Sequence, residues 1–257
     1  MKTTPAKTGL IVCDVLQAET ERRLADMPQP PEEIRFLPMG RHDTPDLLRK
    51  ELQEVVDELE AAGCRRLLFV YGLCSNSILG LRAQTAEMIF PRAHDCITLF
   101  LGSRQRYADV QRREPGTFWF SPGWCREKRV PGPGHFEERE AAFREQFDEE
   151  EVEFLLEMEH ERYRHYTAAG YTDLGDGDTE GARRDAEAAA AELGMKFVHH
   201  PGDDQLLHHL LNGPWPEEDF MVVPPGKEAV FTGDERILAC RDCSMADKKG
   251  RGSENGC

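Results

Sequence analysis

At 257 residues, 39% of them hydrophobic, the chain is long enough for one large α/β domain or two small ones. A formal net charge of −16 excludes the basic footprint that nucleic acid requires and makes an anionic membrane surface an unsuitable partner. No run approaches the 18 or so apolar residues of a membrane span, and the first apolar run, residues 9–16, carries Asp14 and does not read as a secretory leader. The expectation is a cytoplasmic protein whose eight cysteines serve as thiols, metal ligands or catalytic groups rather than as a disulfide framework. Much of the acidity falls in helical stretches such as 137–153, where it reads as a solvated face.

In chain order, an apolar strand over 10–13 precedes an amphipathic run over 16–27. Pro28, Pro30 and Pro31 then turn the chain into a strand over 34–38. The spacing of Leu47, Leu48, Leu52, Val55, Val56 and Leu59 predicts a helix over 44–62, capped by Thr44 with Pro45 in its first turn. Gly63 ends it, and an apolar strand follows over 66–71. A helix over 79–86, a strand over 88–90, a helix over 97–108 and a strand over 117–120 complete the pattern. Strands alternating with helices imply an open, mostly parallel Rossmann-like sheet with helices on both faces.

Beyond a Pro/Gly-rich hinge at 126–134, acidic helices are expected over 137–147 and 149–169, followed by a smaller α/β stretch over 171–223. The division expected is an N-terminal lobe over 1–125, a hinge and acidic helical insertion over 126–170, a second, smaller α/β lobe over 171–230, and a polar, disordered tail over 231–257. Whether the two α/β stretches form two lobes or one continuous sheet stays open.

Cys13, Cys74 and Cys96 each follow a strand-like run, and the carboxyl ends of parallel strands line the crevice where ligands bind. Three soft sulfur donors on one rim suit a zinc ion with an open fourth position, or a [4Fe–4S] cluster with one open iron. His94 and Asp95, beside Cys96, supply a fourth ligand or the catalytic acid/base. Ser75 and Asn76 read as helix N-caps, which would set the Cys74 thiol at a positive helix end and offer backbone N–H groups to a phosphate or carboxylate of the substrate. Arg104, with Arg106 and Tyr107, is a candidate anion clamp that Arg82 and Arg92 could join.

The segments YGLCSNSILGLRA, PRAHDCITLFLGSRQRY and PGTFWFSPGW, at residues 71–83, 91–107 and 115–124, resemble an uncharacterised bacterial and archaeal family catalogued as a domain of unknown function. The similarity is strongest over 8–125. Cys13, Cys74, His94, Asp95 and Cys96 lie in its signature segments. Members are often encoded near corrinoid-dependent methyltransferases, so the resemblance implies a setting in methyl-group or one-carbon metabolism and a corrinoid or methyltransferase partner.

Cys240 and Cys243 form a lone C-x-x-C, read as an accessory metal clip, a redox pair or a lid. Cys64 and Cys125 read as structural. The pairs His199–His200 and His208–His209 read as packing residues, and the aspartates of 173–178 lack the pattern of a calcium loop. Two readings follow. One is an enzyme or enzyme accessory with a thiolate metal centre acting on a small molecule. The other is a non-catalytic metal- or corrinoid-associated protein docked through its acidic helices, with a metal-free enzyme using Cys74 as nucleophile as a third possibility.

Overall fold

The computed structural model describes residues 6–39, 44–127, 130–131 and 134–242. Two compact units emerge from one chain. The first holds Met1–Asp14, Leu24–Cys96 and Gln205–Cys257, and the second holds Val15–Arg23 and Ile97–Asp204.

The first unit is a five-stranded sheet built from β1 (Thr8–Cys13), β2 (Glu33–Leu37), β3 (Arg66–Val70), β4 (Glu87–Pro91) and β8 (Phe220–Val223), in the order β2-β1-β3-β4-β8. The first four strands run parallel and β8 is antiparallel to β4. β1 pairs on both sides and is buried from Gly9 onward, so its run GLIVC is continuously apolar, as a central parallel strand requires. Phe69 and Phe90 stack at 4.2 Å between β3 and β4. α2 (Pro45–Ala61) buries Leu48, Leu52, Val56 and Leu59, the face predicted from their spacing. α9 (Gln205–Asn212) buries Leu206, Leu207, Leu210 and Leu211 and packs on β3 and β4.

The crossover from β3 to β4 contains no helix, which corrects the helix expected over 79–86. α2 clips it down instead. The Glu60 carboxylate accepts from the backbone N–H groups of Gln84, Thr85 and Ala86, and Gln53 bonds both the N–H and the C=O of Arg82. With its backbone groups met by side chains from α2, this segment has no need of helical hydrogen bonds.

The second unit is a three-stranded parallel sheet of β5 (Thr117–Phe120), β6 (Ala168–Tyr171) and β7 (Lys196–His199). α1 (Gln17–Ala25) and α3 (Cys96–Phe100) straddle the boundary, and α4 (Arg104–Arg113), α5 (Pro122–Arg126) and α8 (Thr179–Glu192) belong here. α8 lays Ala182, Ala186, Ala189 and Ala190 against the sheet, a small-residue face that lets helix and strands approach closely. The helix expected over 97–108 is two helices, α3 and α4, broken at Gly102, whose φ of +73° ends a right-handed helix. α6 (His135–Arg144) and α7 (Glu149–Glu161) form an acidic helical pair.

The strands group differently from the division expected by chain order. Residues 205–223, assigned to a smaller C-terminal lobe, join the first sheet, while β5 leaves it for the second. Part of the expected polar tail is structured as well: β9 (Lys227–Phe231) and β10 (Leu238–Asp242) pair as an antiparallel hairpin. The molecule is mixed α/β with a mostly parallel central sheet, and no helix among the described residues is long and apolar enough to cross a membrane.

Candidate functional site

In the order β2-β1-β3-β4 the chain leaves β1 first toward one edge and then, through β3, toward the other. In open α/β sheets the carboxyl ends of the two strands flanking such a reversal, here β1 and β3, are where ligands commonly bind. Cys13 is the last residue of β1, and Cys74 lies four residues past the end of β3. Both are buried, at 2% and 7% exposure.

The segment after β3 is held by the segment after β4. Leu73 N–H donates to the Ala93 carbonyl at 2.8 Å and Cys74 N–H to the His94 carbonyl at 3.2 Å. Gly72 permits this crossing, because a Cβ there would lie 2.7 Å from the Asp95 Cα and 2.8 Å from its backbone N and C. Beyond it, Cys74, Ser75 and Asn76 have φ angles of 44°, 56° and 68°, three successive non-glycine residues in the left-handed region. Asn tolerates this conformation, but a run of three is unusual and costs about 1 kcal/mol or more per residue. The expected helix N-terminus at Ser75 and Asn76 is therefore absent. A left-handed run cannot start a right-handed helix, and the Cys74 N–H is already spent on His94.

The electrostatics follow from burial. The Cys74 thiol is pushed well above its ordinary pKa, first by loss of solvent and then by Cys13 and the Asp95 carboxylate, with a hydrogen bond from the Gly72 backbone opposing. The Tyr71 hydroxyl is raised well above its usual range by burial, then by Cys13, Cys74 and Asp14. Tyr71 Oη and Ser77 Oγ are both buried without a well-formed hydrogen bond; Cys13 is the polar neighbour of the first. Ser77 Oγ is thus a buried hydroxyl left unsatisfied, which folded proteins seldom tolerate, while Tyr71 Oη has the Cys13 thiol beside it. Neither hydroxyl was legible as a site residue, because Tyr71 sits inside an apolar run and Ser77 inside a turn-like one.

The remaining candidates distribute as follows. Cys96 opens α3, directly after His94 and Asp95, and is 4% exposed. Arg104 is the first residue of α4, behind its cap Ser103, and lies in the second unit. Arg92 and Arg106 do not serve as an anion clamp. Arg92 donates to the carbonyls of Glu217, Arg236 and Leu238, and Arg106 to those of Leu101 and Pro201, so both guanidiniums are structural staples. Cys240 is half-buried in β10, whereas Cys243 lies outside the described residues. Among the described residues no three His, Cys, Asp or Glu side chains stand ready to hold a metal ion.

Cys64 packs under Gly9, and Cys125 reaches toward the Ala182 carbonyl at 3.8 Å, its pKa pushed up to about 12 by burial and by Asp185 and Asp178. In the 173–178 loop, Asp173 accepts from Gly175 N–H, Asp176 pairs with Arg23 and Asp178 caps α8, so each carboxylate has a structural role.

A family model described as a protein of unknown function (DUF1638) matches residues 36–211. The chain belongs to that family. The DUF1638 segment contains Cys74, Ser75, Asn76, His94, Asp95, Cys96 and Arg104, while Cys13 precedes it and Cys240 follows it. No curated protein and no solved structure matches the chain.

Proposed function

We propose that the strand-end rim of the first unit is a soft-ligand site, binding zinc or a [4Fe–4S] cluster through Cys13, Cys74 and Cys96. The protein would then be an enzyme, or an enzyme's accessory, in methyl-group chemistry. One observation carries the reading: the buried Cys13 and Cys74 thiols, at the carboxyl ends of β1 and β3 flanking the reversal, act on each other electrostatically, and Cys74 opens a run of three left-handed residues. Thiols select soft metals, and the crevice at such a reversal is where open α/β sheets take their ligands.

Cys96 is the third sulfur by virtue of its loop, since the Asp95 before it already stands beside Cys74. Because no three donors stand ready among the described residues, loading requires the residue 92–96 turn to close on Cys13 and Cys74. Asp95 and His94 then fall to a fourth-ligand or proton-handling role, and Ser75 and Asn76 form the substrate-facing lip. A zinc bound by three thiolates would supply an open position at which a substrate thiol loses its proton. The methyl-transfer setting rests on the family resemblance, and a reducing, cytoplasmic location suits thiols of this kind.

The test is metal and acid-labile sulfide content of protein purified without oxygen, for the native chain and for Cys13→Ala, Cys74→Ala and Cys96→Ala. About one zinc per chain, or about four irons with matching sulfide, is expected in the native protein. Cys13→Ala and Cys74→Ala should each abolish it. Metal content unchanged across all three variants, or no metal in the native protein, overturns the reading.

A further inference from the structure

We propose that the outward face of α7 is a docking surface for a basic amphipathic helix of a partner protein. The inference is independent of the thiol site. α7 is anchored by its inner face, where Val152 and Glu159 are buried, and Tyr163 just beyond it lies in the second unit's core. Glu159 is held there by His135 at 3.4 Å, Arg162 at 3.2 Å and Arg139 at 3.8 Å, and Phe136 stacks on His160 at 4.1 Å. The helix therefore has all it needs to pack without its other side.

That other side is apolar where folding does not require it. Phe154 is 60% exposed and Met158 54%, the two highest values among the exposed large hydrophobic side chains of the described residues, and Phe147 just ahead of the helix is 43% exposed. Spacing of four residues sets Phe154 and Met158 one above the other along a helix. Single exposed hydrophobes are ordinary, but an adjacent pair on one helix face with an aromatic at its end is the mark of an interaction site.

Charge decides the occupant. Glu150, Glu157 and Glu161 flank the stripe on one side and Glu151 on the other, by helical geometry. Glu150, Glu153 and Glu157 have no ion-pair partner among the described residues. A second copy of the chain would bring these glutamates against one another. A helix with its own apolar residues three and four apart and Lys or Arg along the margins satisfies both the stripe and its rims.

The test uses the full chain, a Phe154→Ser/Met158→Ser double variant and two synthetic helical peptides of about 18 residues, one of Leu and Lys and one of Leu and Glu in the same pattern. Because both side chains are exposed, the double variant should keep the native circular-dichroism spectrum. The Leu/Lys peptide should bind the native chain, weaken at least about tenfold on the double variant, and shift backbone amide resonances within Phe147–Glu161; the Leu/Glu peptide should not bind. Equal affinity for native and variant protein would mean attraction by net charge alone and overturns the proposal. So does concentration-dependent self-association that the double variant loses, which would make the occupant a second copy.

Discussion

Glu19 sits on α1 in the second unit with 1% of its surface exposed, and neither carboxylate oxygen makes a well-formed hydrogen bond to another residue. Burial raises its pKa from 4.5 to about 7, opposed first by its own backbone N–H, with Asp176 adding to the rise and Arg126 and Arg23 opposing it. The sign follows from linkage. Between about pH 4.5 and 7 the folded chain holds a proton that the unfolded chain has released, so stability is fully present below 4.5 and is lost as pH rises through 7. A shift of that size corresponds to at most about 3 kcal/mol. Denaturant midpoints at pH 5 and pH 8 should therefore fall with pH in the native chain and fall less in Glu19→Gln, where no carboxyl ionises. Equal falls would assign the pH dependence to other groups. Nothing in the sequence marked Glu19, because a lone Glu on an amphipathic helix reads as solvated and its burial is a tertiary fact. Cys13 and Cys74 were legible for the opposite reason: both follow apolar runs short enough to be strands, so the strand-end rule placed them together.

At the level of elements, periodic segments were legible and the irregular ones were not. The helices at Pro45–Ala61 and Thr179–Glu192 and the strands at Thr117–Phe120, Lys196–His199 and Phe220–Val223 lie where apolar spacing and turn residues put them. The segment after Cys74 was misread because Ser and Asn favour both helix N-caps and left-handed turns, and only the backbone of residues 93–95 decides between the two. This turn carries its own prediction. Ser75 is exposed with φ of 56°, so its side chain contributes little packing to offset the backbone cost. Ser75→Gly should raise the denaturant midpoint by the equivalent of roughly 0.5–1 kcal/mol, and Ser75→Val should lower it. A Gly variant less stable than the native chain would show that the left-handed run is not strained.

For the whole molecule, the sequence announced two α/β stretches but not how the chain shares its strands between them. Chain order put β8 with the strands just before it, whereas Met221 and Val223, both buried, lie against β4 in register with Phe90 and Met88. Pairing across more than a hundred residues leaves no local trace, since an apolar run of four reads alike at any sheet edge. The first unit is therefore closed by residues that the chain supplies last. Truncation after Asp204 would remove α9, whose four buried leucines cover β3 and β4, together with β8 and the hairpin that Arg92 staples. At about 1.5–3 kcal/mol for each leucine, α9 alone contributes roughly 6–12 kcal/mol, as much as the whole stability of an ordinary domain. The truncated chain should lack a cooperative thermal transition for the first unit and should expose apolar surface to a hydrophobic dye. A soluble truncation that melts cooperatively with an intact five-stranded unit's enthalpy would mean that the β1–β4 core folds without its late-arriving cover.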